Sequence, residues 1–543
     1  MKLWKYIIKI IQGVELNMNV KRMFGSAALL AAALLAVSGC GNVRKIETKS
    51  SGITFSDGTY PMTCNDTLTV WSTSLGGGED LNEIPLGSEW KKQTGVNVEF
   101  IQPMNGSTEA FSVLIASGDL PDIIVANIYN EPGGIMKFAN DNVIVPLTDY
   151  IDEYAPNLKK YLDEHTDIAK MVKCDNGQYY SFPFAMESEK LTSTAGAVVR
   201  KDMLDKAGLQ VPETIDEWHT ALAAFKAQGA TAPLSYDLFF WEKQYGVFLG
   251  AYGTKADFYI KDGEVKYGYL EPEFREGLST LNQWYSEGLI DQNIVKIADM
   301  DANIMNSATG GSCMWAGGGI GKYMNAMKNK NPDFNLVPAP FPVLNKGEKS
   351  QFGSKKFLYD PSGNAFITTN CKNIELAMRF LDYGYTEAGH MLFNFGVEGE
   401  SYTQKNGEPI YTDKIMHNED GLSISDAMSK YILANNSGPF IQDVRYIEQY
   451  YVLDQQKQAL DVWSDCDTLS TKLPYLTFTE EESSKISTIM NDVETCTSEM
   501  IYKFIMGLEP MENYDSFVST LESFGIRDAI NIYNDALERY NAR

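Results

Sequence analysis

Between Leu68 and Ala126 the chain alternates short apolar strands with helices, and this order restricts the fold more than any other feature. Leu68-Thr-Val-Trp71 reads as a strand. Pro85 to Thr94 reads as a helix, with Pro in its first turn and Gly95 placed to cap its end. Val96-Asn-Val-Glu-Phe-Ile101 alternates apolar and polar residues, as a half-buried strand does. Glu109 to Ser117 is helical, Gly118-Asp-Leu-Pro-Asp122 stops it, and Ile123-Ile-Val-Ala126 reads as a buried strand. Strand–helix–strand–helix–strand implies an α/β fold with a parallel, twisted sheet and helices on both faces. The pattern recurs with a strand at Ala197–Arg200, a helix at Lys201–Ala207 and a helix over 215–228. Thr214 and Glu217 form a capping box at the head of the last of these. Phe274 to Glu287, residues 372–394 and most of 481–543 are also expected to be helical, which makes the C-terminal third helix-rich.

The N-terminus has a different character. Lys21 and Arg22 precede an uncharged apolar run from Ala27 to Val37. A basic patch, a short apolar run and small residues at the cut describe a secretory signal over 1–39. The run is shorter than the roughly 20 residues that a membrane span needs. Val37-Ser-Gly-Cys40 resembles the lipobox of bacterial lipoproteins, which implies lipidation of the Cys40 thiol after cleavage in front of it. Met18 opens a signal of ordinary length, so residues 1–17 read as an extension upstream of the true start. Residues 40–66 then form the lipidated Cys and a polar tether, whose composition cannot bury enough surface to fold alone.

The remaining chain, roughly 480 residues, exceeds one hydrophobic core and implies at least two domains. It is acidic, with 72 Asp and Glu against 46 Lys and Arg. Nucleic-acid binding is disfavoured, since phosphate recognition needs basic patches. A strongly anionic ligand is disfavoured only weakly, because local fields can oppose net charge. Apart from Cys40 there are six cysteines, at 64, 174, 313, 371, 466 and 496. None forms a C-x-x-C pair or lies near a His, so metal-ligand spacing is absent. Export would permit disulfides, but the wide spacing favours free, buried thiols.

Several stretches together resemble the extracellular solute-binding proteins of family 1, the maltose-binding type, and within it the lipoproteins of Gram-positive bacteria. They are Ile115-Ala-Ser-Gly-Asp-Leu-Pro-Asp-Ile-Ile124, Asp141-Asn-Val-Ile-Val-Pro-Leu-Thr-Asp-Tyr150 with Tyr154-Ala-Pro-Asn157, Gly177-Gln-Tyr-Tyr-Ser-Phe-Pro-Phe184, Arg200-Lys-Asp-Met-Leu-Asp205 with Pro212-Glu-Thr-Ile-Asp-Glu-Trp218, and Trp284-Tyr-Ser-Glu-Gly-Leu-Ile-Asp291. Phe395-Gly-Val-Glu-Gly-Glu400 and Ala536-Leu-Glu-Arg-Tyr540 complete the series. Each piece alone is weak; their order and spacing carry the resemblance. It implies a type II periplasmic-binding-protein-like fold, with two discontinuous α/β lobes joined by a hinge and ligand held in the cleft. Lobe 1 is expected over 67–184 plus about 366–435, and lobe 2 over 185–360 plus about 436–543. Crossings are expected near 183–194, 360–367 and 435–440. The implied role is that of a substrate-binding lipoprotein of an ABC importer, monomeric and anchored only by lipid at the outer face of the cell membrane. It would bring a carbohydrate to the permease subunits, without cofactor or catalysis.

Sugar sites combine flat aromatic rings with polar groups, and ligands sit at the carboxyl ends of parallel strands. On this basis Trp71 and Ser72 follow the first strand, and Asn127, Tyr129 and Asn130 follow strand 123–126. Tyr236, Phe240 and Trp241 belong to an aromatic run. By resemblance, Glu187 takes a hinge carboxylate position, Trp315 a stacking position, and Glu398 and Glu400 a family loop. Each has a plainer reading: Trp71 as core, Asn127 as a turn cap, Glu187 paired with Lys190, and one of Phe239 and Phe240 packed inside. Trp218 and Trp284 lie on helical stripes and are read as core.

Two motifs fail on inspection. Gly317-Gly-Gly-Ile-Gly-Lys322 lacks the P-loop pattern, with Ala316 where Gly is required and Tyr323 where Ser or Thr is. Asp299, Asp301 and Asn303 echo a calcium loop, but Gly310 stands where a bidentate Glu belongs. The rival classes are a secreted glycoside hydrolase, with Glu398 and Glu400 as its acid pair, and a binding protein for a peptide or other solute. No G-x-S-x-G or H-E-x-x-H motif is present.

Overall fold

A computed structural model describes residues 52–55, 59–73, 75–103, 108–129, 131, 133–296 and 300–543. Cys40, Met18, Asn130 and Asp299 lie outside the described residues. All the described residues belong to the unit Thr48–Arg543.

Nine strands build the two principal sheets: β1 (Thr67–Ser72), β2 (Asn97–Ile101), β3 (Ile123–Val125), β4 (Ser181–Met186), β5 (Ala195–Arg200), β6 (Gly311–Trp315), β7 (Leu336–Pro338), β8 (Tyr359–Ile367) and β9 (Ile441–Gln442). The larger sheet runs β9-β4-β8-β3-β1-β2, and the smaller runs β6-β5-β7. β1 pairs in parallel with β2 and β3, as the local pattern predicts. The sheet is nevertheless mixed, because β8 enters it antiparallel to both β3 and β4. No local pattern shows this pairing, since β8 follows β3 by more than two hundred residues.

The helix Pro85–Thr94 ends at Gly95, whose φ of 73° supplies the left-handed cap. The capping box of Thr214 and Glu217 is formed at the head of Ile215–Ala227. The helix expected over 372–394 is two, Ile374–Asp382 and Glu387–Phe395, separated by the turn Tyr383–Tyr385. The C-terminus carries the helices Glu480–Ile505, Tyr514–Ser523 and Ile526–Ala542.

Aromatic rings fill the core. Trp90 is 1% exposed. It stacks on Phe380 at 4.7 Å and meets Phe393 edge-on at 4.8 Å, which joins an early helix to two late ones. Truncating a ring so placed costs about 3–5 kcal/mol. Trp218 and Trp284 are buried, as their helical stripes predict. The six cysteines after Cys40 are free, five of them buried.

Part of the stretch expected as tether is packed onto this core. Thr54–Phe55 pairs with Met62–Thr63, Met62 and Cys64 are buried, and the Tyr60 hydroxyl donates to the Arg379 carbonyl at 2.5 Å. Tyr60 and Met62 supply the apolar surface that a tether lacks.

The chain passes from the larger sheet to the smaller over 187–194 and returns over 339–358. Residues 360–367, expected as a crossing, lie within β8, where the register shifts between Asp360 and Ala365. After β9 the helix Asp454–Ser464 reaches the smaller sheet. There the Trp463 indole N–H donates to the carbonyls of Ala197 and Ala339, at 3.2 and 3.1 Å.

Candidate ligand-binding cleft

The first four residues of β6 are buried, and Trp315 at its end is 47% exposed. Beside it runs the helix Leu238–Gln244, started by Asp237, whose carboxylate accepts from the Phe240 N–H at 3.1 Å. Leu238 and Trp241, three residues apart, share the buried face of this helix, and Phe240 falls outside it. Trp241 is therefore only 2% exposed and Phe240 36%. The ring of Trp315 lies 5.8 Å from Phe240 and 5.2 Å from Trp241. The result is an open indole face supported by two rings, with Tyr245 behind Trp241 at 5.2 Å.

Tyr236 is also inside, where its hydroxyl donates to Glu242 Oε1 at 3.0 Å. Glu242 further accepts from the N–H groups of Phe248 and Leu249. Burial pushes its carboxyl up to about 7, against the opposing effect of these hydrogen bonds. Sequence grouped Tyr236, Phe240 and Trp241 as ligand contacts; the structure gives Tyr236 and Trp241 to the wall behind the surface.

A cavity of 570 Å³ opens at the carboxyl end of β3, lined by Tyr129, Lys243, Asp257, Phe258, Tyr475 and neighbouring residues. Lys243 also borders a 240 Å³ cavity beside Phe240, so the two adjoin. Tyr475 is a hub in this region, 6.4 Å from Tyr129, 5.2 Å from Tyr359 and 6.2 Å from Phe357. Asp257 shares the cavity with Tyr475, and Asp360 acts on the Tyr475 hydroxyl; the same two aspartates act on Lys472, as do Lys255 and Lys356. Lys356 bonds Asp360 at 3.1 Å. Burial opposes the Lys356 charge, but the Asp360 carboxylate outweighs it and holds the ammonium pKa above its usual value. Lys255 lies 4.0 Å from Asp257, and burial lowers its pKa despite that partner. Lys472 is lowered to about 7, first by burial and then by repulsion from Lys255 and Lys356. No motif in the sequence marks these three lysines.

Where the chain leaves the larger sheet, Glu187 and Asp443 follow β4 and β9. Glu187 Oε1 accepts from the Val444 N–H at 2.7 Å, tying the two exits together. The Lys190 partner suggested by sequence bonds Glu448 instead. Asp443, buried, receives His390 Nε2 at 2.9 Å and the Arg445 guanidinium. Burial opposes its charge, yet these donors hold its carboxyl far below the usual range. Burial and the Asp443 charge raise that of Glu187 against the Val444 N–H. Glu187, His390 and Asp443 present ligand atoms within 4.8 Å of one another, but Asp443 is already satisfied by Arg445 and His390.

The other expected residues are spread more widely. Trp71 is 4% exposed and packs 5.7 Å from Phe111. The Ser72 hydroxyl accepts from the Leu75 N–H and Asn127 Oδ1 from the Tyr129 N–H, both as turn caps. Glu398 and Glu400 are exposed at the hairpin Tyr402–Tyr411, where Glu400 pairs with Lys414 at 3.2 Å; neither borders the two cavities. In the calcium-like stretch Asp301 is taken by Lys322 and Tyr323, and Asn303 donates to Asp291 and Ser235. Residues 316–321 form a single π-helical turn.

This architecture is that of a type II periplasmic-binding-protein-like fold. The chain belongs to the bacterial extracellular solute-binding protein family, whose model matches residues 82–391. It is 26% identical over 561 aligned positions to the fructooligosaccharide ABC transporter substrate-binding protein FusA of Streptococcus pneumoniae, covering 97% of this chain and 99% of that one. Among solved structures, the alginate-binding protein AlgQ2 superposes with a TM-score of 0.70 at 24% identity, over 87% of this chain and 98% of that one. FusA in complex with kestose superposes with a TM-score of 0.70 at 22% identity, over 88% and 100%. Among the described residues no helix is long and apolar enough to cross a membrane.

Proposed function

We propose that this chain is the substrate-binding component of an ABC importer and captures an extracellular oligosaccharide by closing two lobes. The observation that carries the reading is Trp315, an indole left 47% exposed at a strand end and buttressed by Phe240 and Trp241. An open ring with a rigid backing suits the apolar face of a pyranose or furanose. FusA and AlgQ2, named for fructooligosaccharide and alginate, support a saccharide as the cargo class.

In this reading lobe 1 is built on the larger sheet, β1–β4 with β8 and β9, and lobe 2 on the smaller, β5–β7. The links at 187–194, 339–358 and 443–453 form the hinge, and the bond from Val444 to Glu187 keeps two of them in register. Cys40 carries a lipid that holds the protein at the outer face of the cell membrane, and a monomer presents its closed form to the permease.

Thermal melts against a panel of oligosaccharides test the proposal. Binding raises the melting temperature by mass action, and chromatography recovers the sugar intact. Cleavage of the bound sugar would instead establish a glycoside hydrolase, and a shift only with peptides would establish a peptide-binding protein.

A further inference from the structure

The helix Glu480–Ile505 presents two faces. Ile489, Val493 and Ile501 are buried in the core. Ser483, Ile486, Ser487, Met490, Asn491 and Glu494 recur at the spacing of one helix side and border the 570 Å³ cavity. Further along the same helix, Ser498 and Tyr502 border the 240 Å³ cavity together with Phe240. From Ser483 to Tyr502 this wall runs about 28 Å at the rise of an α-helix. A stripe that packs into a core is apolar throughout. This one mixes small, polar and charged side chains, as a wall that meets a polar ligand does.

The two cavities meet at Lys243, which borders both and pairs with Glu494 at 2.7 Å. Phe240 then joins the smaller cavity to the open indole of Trp315, 5.8 Å away. Besides the helix, the larger cavity carries the rings of Tyr129, Phe258 and Tyr475. Three carboxylates border it, those of Glu131, Asp257 and Glu494, against the one ammonium of Lys243. Flat rings suit the apolar faces of sugars, and a carboxylate accepts from a hydroxyl in a charge-assisted bond. The same carboxylates repel an acidic sugar.

We infer that the two cavities continue the Trp315 surface as one track walled by the helix Glu480–Ile505, so that the protein selects neutral oligosaccharides longer than a disaccharide. Glu131, Asp257 and Glu494 accept from hydroxyls of the distal units. The inference rests on the proposed saccharide-binding role and adds a distal subsite to it.

Calorimetric titration of the mature protein with fructo-, malto- and xylo-oligosaccharides of increasing length, and with trigalacturonate, tests it. In one neutral series the affinity is expected to rise at least about tenfold from the disaccharide to the tetrasaccharide. Ser487 is exposed and borders the larger cavity, so Ser487→Trp fills the track with little strain on the fold. This variant should lose the gain with length and keep the affinity for the disaccharide, and Asn491→Trp should do the same. Thr488, next in the chain, is exposed and does not border the cavity, so Thr488→Trp should retain the gain. An affinity that does not change with length, a gain that survives in both Ser487→Trp and Asn491→Trp, or tightest binding of trigalacturonate overturns the inference and leaves the saccharide-binding role standing. Failure of every sugar overturns both.

Discussion

The indole of Trp315 lies 5.2 Å from that of Trp241, with the two planes 52° apart, so an exposed ring is braced by a buried one. In the proposed function the pair divides recognition, by Trp315, from support, by Trp241. Trp315→Ala is expected to weaken oligosaccharide binding about 10- to 100-fold, or about 1.4–2.8 kcal/mol. Its exposed position should keep the change in stability of the unliganded protein to about 1 kcal/mol or less. Calorimetry and thermal melts on the same variant separate the two effects. Unchanged affinity across good ligands would remove Trp315 from the site.

Glu242 makes stability depend on pH. Its carboxyl titrates near 4.5 in an unfolded chain and near 7 in the fold. Between these values the folded state holds a proton that the unfolded state has released. The stabilisation is complete below 4.5 and disappears as pH rises through 7. Asp382, raised to about 6 by burial, acts in the same direction. Melting temperature should therefore decline from pH 5 to pH 7.5, and Glu242→Gln should flatten that decline. An unaltered slope in the variant would assign the effect elsewhere.

Gly196 lies against Trp463 with no space to spare. A Cβ at this position would stand 2.5 Å from the indole nitrogen that bonds Ala197 and Ala339. Gly196→Ala is expected to cost about 1–3 kcal/mol through overpacking, read as a lower urea midpoint. A midpoint within error of wild type would show that the helix Asp454–Ser464 can shift away freely.

Cys40→Ser should abolish lipid attachment. The expected result is loss of labelled palmitate from the protein and its recovery from the medium in place of the membrane fraction. Retention in the membrane with no label would point to an uncleaved N-terminal anchor.

Much of this molecule is legible residue by residue. Pro85 and Gly95 bound one helix, Thr214 and Glu217 start another, and the spacing of Trp218 and Trp284 buries both. The β1–β3 order follows from local patterning, and the ordered motifs from Ile115 to Tyr540 point to the family. These features are local because helix caps and side-chain periodicity act over a few residues. Which ring of the run Tyr236–Trp241 stays exposed is not local: the packing of one short helix turns Trp241 inward and leaves Phe240 beside Trp315. The entry of β8 antiparallel to β3 also depends on a partner far along the chain. The cluster of Lys255, Lys356 and Lys472 is the extreme case. Each lysine is unremarked in sequence, and only the tertiary structure brings the three charges close enough to repel one another, because Coulomb energy depends on distance through space and not along the chain.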